Sequence, residues 1–162
     1  MGRATTKELK QQFTLRISQA NKSQLVVILY EMMITYLDEA KEAYDRQDRA
    51  GFREGIRKSR GCLMELMSSL HFEYEVASNL LSLYLYANRE LARADIRNSV
   101  TELVHVKAIM SKLHDAYEKV GEQDTSGPIM ENTQTVYAGL TYGKNTLTEN
   151  LYDQGSNRGF RI

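Results

Sequence analysis

The sequence predicts an all-α protein: an antiparallel up-down four-helix bundle with a short extra N-terminal helix and a largely irregular C-terminal tail. Three observations carry that expectation. The sole proline, Pro128, lies outside every periodic stretch, so no proline ring interrupts a helical pattern between residues 22 and 120. Apolar residues recur at helical spacing throughout that span. Only short polar breaks separate the periodic stretches, and short connections make consecutive helices antiparallel neighbours.

Residues 6–18 place Leu9, Phe13 and Ile17 at spacings of four, a narrow apolar stripe on a short helix. Asn21, three residues before Gln24, has the spacing of a capping box and opens a helix reaching about Gln47. Its core arc is Leu25, Leu29, Met33, Tyr36, Leu37, Ala40 and Tyr44. Asp48 caps the next helix, residues 49–71, whose stripe is Phe52, Ile56, Ser59, Leu63, Leu66, Met67 and Leu70. A fourth helix carries Val76, Leu80, Leu83, Tyr84, Ala87, Leu91 and Ala94 on one face. Ser99 and Glu102 form an S-x-x-E box opening a fifth, which runs to about Val120 with Leu103, Val106, Met110, Leu113 and Tyr117 inward. Residues 1–121 therefore read as one helical domain. From 122 to 162 the chain is rich in Gly, Asn and Thr and reads as a flexible tail. Val136, Tyr137, Leu140 and Tyr142 are too apolar for a spacer and mark a docking segment around 136–142, directed at the bundle or at a partner.

Composition narrows the function by exclusion. Lys and Arg number 21, as do Asp and Glu, so no global field draws nucleic acid. A lone Cys62 forbids an intramolecular disulfide and suits a reducing, cytoplasmic setting. The first ten residues are polar where a signal peptide needs an apolar core, and no stretch has the length of a membrane span. Glu102 and His105 make one Glu-x-x-His pair. Di-iron bundles need two, and at the same offset His71 and His114 are preceded by Ser68 and Ser111. Cys62 reads as a small core thiol, and Arg53, Arg57, Lys58 and Arg60 as a solvated face or a patch for an acidic partner. Glycines 139 and 143 lack the following Lys-Ser or Lys-Thr of a phosphate loop. The expectation is a protein without catalytic residues, metal or cofactor.

The stretch QLVVILYEMMITYL, residues 24–37, holds more apolar surface than one core face uses. Turning it by about 100° per residue leaves Val27, Tyr30 and Ile34 on a flank beside the core arc. The fourth helix repeats the pattern with Leu81, Leu85, Asn88 and Ala92. Burying a large aliphatic side chain is worth about 1.5–3 kcal/mol, so these stripes require cover. That cover is either another helix of the same chain or a partner, and periodicity does not distinguish them.

Taken in order, several segments are similar to the family of flagellar export chaperones called FliS. ANKSQLVVILYEMMITYLDEAKEAY resembles the family's capped first long helix with its Leu-Tyr pair, here Leu29 and Tyr30. MELMSSL follows the pattern of a Glu-Leu and a later Leu. NLLSLYLYANRELARADI resembles the signature of Asn-Leu, Leu-Tyr-x-Tyr and Leu through Asn79, Leu80, Leu83, Tyr84, Tyr86 and Leu91. The resemblance spans about residues 13–120. It departs where Asn21 and Lys22 replace a Ser-Pro, Met32 a Gly, Leu85 an Asp, and Asp95 an Asn.

The resemblance implies a cytoplasmic bundle that binds the C-terminal helical segment of flagellin, prevents its premature polymerisation and keeps it fit for type III export. Recognition would be helix-in-groove, with apolar anchors at i, i+3, i+4 and i+7. Helical angles, rather than the family, select the expected contacts: Val27, Tyr30, Ile34, Leu81, Leu85 and Asn88, with Tyr84 and Tyr86 participating. The partners expected are flagellin and the flagellar export gate, with no nucleic acid and no membrane insertion, for a monomer or weak homodimer. A self-associating helical module without a flagellin client is the alternative.

Overall fold

The structure, a computed structural model, describes residues 6–123. Five helices appear in order: α1 (Thr6–Gln19), α2 (Lys22–Asp45), α3 (Arg49–Ser68), α4 (Glu75–Arg97) and α5 (Thr101–Gln123). No strand occurs among the described residues. Residues 124–162, including the expected docking segment around 136–142, lie outside the described residues.

Local chemistry fixes the corners. Asn21 Oδ1 accepts from the Gln24 N–H at 2.9 Å, and Gln24 Oε1 accepts from the Asn21 N–H at 3.0 Å, completing the expected capping box. Helix α2 ends as Gln47 enters the left-handed region at φ 60. The Gln47 and Asp48 N–H groups then donate back to Tyr44 and Ala43, and Asp48 Oδ1 accepts from the Gly51 N–H at 2.9 Å to start α3. Asn98, at φ 52, turns the chain out of α4. At α5 the expected box shortens: Ser99 Oγ accepts from the Thr101 N–H at 3.3 Å, and the helix begins at Thr101.

Helices α2, α3, α4 and α5 form a closed ring of antiparallel neighbours, and α1 lies along α2. Helix α2 is the centre of the assembly, with its most extensive contacts to α3 and α5. Gly55 makes the approach of α3 possible: a Cβ there would lie 2.6 Å from Ala40 Cβ and 2.9 Å from the Tyr36 carbonyl oxygen. On another side, Lys107 Nζ of α5 donates to Asp38 at 2.7 Å and His114 Nε2 lies 2.9 Å from Glu31. Phe13 and Ile17 of α1, and Ala20 just after it, are buried in the continuous core and cover a further side. Enclosure from three directions explains why residues 27–30, Met32 and Met33 are all buried.

Candidate functional site

Helix α4 has two edges, and each is held shut at one end and open at the other. Towards α3, Arg53 Nε donates to Asp95 at 3.0 Å and, one heptad on, Arg60 Nε donates to Asn88 at 2.9 Å. The next step in this register sets Met67 level with Leu81, with Met64 and Leu85 outside them. Met67 and Leu81 are half-buried; Met64 is 41 % and Leu85 42 % exposed. Polar pairs therefore close the half of the seam near the C-terminus of α4. Methionine and leucine line the open half, a surface that adapts readily to apolar partners.

Inside the bundle an aromatic cluster joins α2, α4 and α5. Tyr30 of α2 and Tyr84 of α4 are buried, with their hydroxyl oxygens 2.5 Å apart. The Tyr117 ring packs 6.0 Å from that of Tyr30. Burial pushes the Tyr84 phenol up to about 12 and raises that of Tyr30 as well, so the pair is a neutral hydrogen bond inside the core.

The expected contact residues thus separate by helix. Those on α2 are taken up within the chain: Tyr30 is 0 % and Val27 7 % exposed, and Ile34 is half-buried against the core. Tyr84 shares that interior position. Leu81, Leu85 and Asn88 come together on the α3 edge of α4, while Tyr86 is exposed and donates to Glu90 at 3.0 Å. Sequence reasoning missed Met64, assigned Met67 to the core stripe, and did not foresee the Arg60–Asn88 closure. A seven-residue match between Arg53/Arg60 and Asp95/Asn88 is present in the sequence, but only the antiparallel register gives it meaning. Val76 and Leu83, expected inside, are exposed.

The groups that suggested chemistry are engaged elsewhere. Glu102 faces Arg97 at 4.0 Å, and His105 Nδ1 lies 3.4 Å from Glu90, so the Glu-x-x-His pair does not converge. Burial raises the Cys62 thiol well above its ordinary value, leaving it protonated in the core. Glu31, His114 and Glu118 cluster at the junction of α2 and α5, where the Arg16 guanidinium of α1 binds Glu31. The cation in that cluster is the chain's own. No helix among the described residues is long and apolar enough to cross a membrane.

Comparison with known proteins places this bundle. The sequence model of the family described as flagellar protein FliS matches residues 5–124, all five helices. The chain is similar to the flagellar secretion chaperone FliS of Bacillus subtilis, 23 % identical over 64 % of this chain and 77 % of the relative. It is also similar to the flagellar secretion chaperone FliS of Escherichia coli, 28 % identical over 64 % of this chain and 78 % of the relative.

Proposed function

Since the chain belongs to the FliS family of flagellar proteins, we propose that it is a flagellar secretion chaperone with flagellin as its client, acting in the cytoplasm without catalysis. The C-terminal helical segment of flagellin lies along the open half of the α3–α4 seam. Shielding that segment prevents premature polymerisation and keeps the subunit fit for the flagellar export gate. One observation supports this choice of surface above the others: the apolar stripe of Leu81 and Leu85 coincides with the half of the seam that Arg60 and Asn88 leave open.

Leu81, Leu85 and Asn88 contact the client directly, joined by Met64 and flanked by Tyr86. Tyr30 and Tyr84 act from beneath, as part of the packed core on which α4 rests, while Val27 and Ile34 are taken up within the chain. An amphipathic segment docks there by placing i, i+3, i+4 and i+7 anchors into the seam, and its ordering cost is met at binding. Each well-buried aliphatic anchor contributes about 1.5–3 kcal/mol.

Titration calorimetry of the full chain with a peptide of the flagellin C-terminal region provides the test. The double substitution Leu81→Asp and Leu85→Asp should weaken binding at least about tenfold, equivalent to 1.4 kcal/mol, with helicity by circular dichroism unchanged. Unchanged affinity would remove the seam from the site. Absence of binding by the unsubstituted chain would remove the client, and a stable dimer in sedimentation that excludes the peptide would favour self-association.

A further inference from the structure

The opposite edge of α4, towards α5, is built on the same plan. His105 faces Glu90 and Glu102 faces Arg97, so polar contacts close the end near the C-terminus of α4. The antiparallel register set by those pairs brings Leu83 level with Leu113 and, one heptad further, Val76 level with Val120. Leu83 and Val76 stand seven and fourteen residues before Glu90, on its edge of the helix. Here the seam is apolar and open: Val76 is 51 %, Val120 50 % and Leu83 37 % exposed, and Ile109 and Leu113 are half-buried. Exposed apolar surface of this extent calls for an occupant.

We propose that residues 136–142 of this chain's own C-terminal segment, VYAGLTY, pack into the open half of the α4–α5 seam. The described part of α5 reaches Gln123, just past Val120, so residue 124 starts at the mouth of this seam. The intervening residues 124–135 span about 18 Å if helical and about 40 Å if extended. Back from Val120 to Leu113 is only about 10 Å along α5. Either form of the connector therefore reaches every level of the open half. Val136, Tyr137, Leu140 and Tyr142 supply four large apolar side chains with no charge between them. A tether of this length holds the segment at an effective concentration of about a millimolar, so a weak contact is sufficient. A second copy would have to reach a similar concentration to compete. The exposed acidic pair Glu73 and Glu75 at the start of α4 opposes an anionic lipid surface.

This inference concerns the edge of α4 away from the proposed client seam and is independent of that reading. Paramagnetic relaxation in the full-length chain tests it. A nitroxide on Gly139→Cys, and in a second sample on Lys144→Cys just outside the segment, leaves the buried Cys62 unlabelled. Methyl signals of Val76, Leu83, Leu113 and Val120 should be lost, while those of Ile96 and Val104 at the other end of the bundle persist. Val76→Ser with Val120→Ser should restore the remaining seam signals. Persistence of the seam signals with both labels overturns the proposal, as does uniform attenuation over the surface. Attenuation seen only between labelled chains and separate isotope-enriched chains overturns it too, in favour of a second copy.

Discussion

At the scale of single residues, two polar arrangements inside or beside the core have measurable consequences. The Tyr30 and Tyr84 hydroxyls satisfy each other where water is excluded, so removing one leaves the other without that partner. Tyr30→Phe or Tyr84→Phe should each cost about 1–3 kcal/mol in urea unfolding. The double variant should cost clearly less than the sum, and simple additivity would mean the pair is not coupled. The second arrangement is the junction of α1, α2 and α5. Burial disfavours the His114 imidazolium, but Glu31, Asp115 and Glu118 outweigh it and lift its pKa above the ordinary 6.5. Burial likewise pushes the Glu31 carboxyl up, yet hydrogen bonds from Arg16 and His114 hold it below the ordinary 4.5. A raised folded pKa gives stability that is complete below 6.5 and lost as pH rises through the folded value. A lowered one gives stability present above 4.5 and lost as pH falls through the folded value. The junction is therefore strongest between 4.5 and 6.5. Thermal melts should show His114→Asn flattening the decline above pH 6.5, and an unchanged slope would exclude this role.

At the scale of elements, α4 is gripped unevenly. Arg53, Arg60, Glu102 and His105 meet it near its C-terminal half, whereas Met64, Met67, Leu113 and Val120 border its N-terminal half. Local opening follows contact and burial, so amides in residues 78–86 should exchange with solvent before those in 88–97. Hydrogen exchange by mass spectrometry on the full chain reads this directly, and uniform protection along α4 would contradict the uneven grip. Such a contrast was only partly legible in the sequence. Caps depend on neighbours in the chain, which is why Asn21 with Gln24, and Asp48, could be read without a structure. Positions on the boundary between two helices depend on register. Val76 and Leu83 therefore share the α4 periodicity yet emerge at an edge. For the same reason Arg53 and Arg60 read as a solvated patch when they tie α3 to α4.

At the scale of the whole molecule, the excess hydrophobicity of residues 24–37 is absorbed by arrangement rather than left at the surface. Helical angles set Val27, Tyr30 and Ile34 beside the core arc, yet Tyr30 lies fully buried in the same continuous core and Ile34 packs against it, because angle alone does not say which neighbour stands on that side. The neighbours are α1 and α5, distant from each other in sequence and joined across Arg16, Glu31 and His114. The surface that remains apolar is concentrated along α4, where both proposed occupants lie. Central placement of α2 also has a consequence in time. Synthesis delivers the N-terminal segments first, at about 5–20 residues per second. The most apolar helix of the protein leaves the ribosome well before α3 can cover one side, and longer still before α5 can cover another. For those seconds the nascent chain presents its own unshielded hydrophobic helix. A protein proposed to guard an unassembled flagellin segment thus passes, during its own birth, through the same vulnerability as its client.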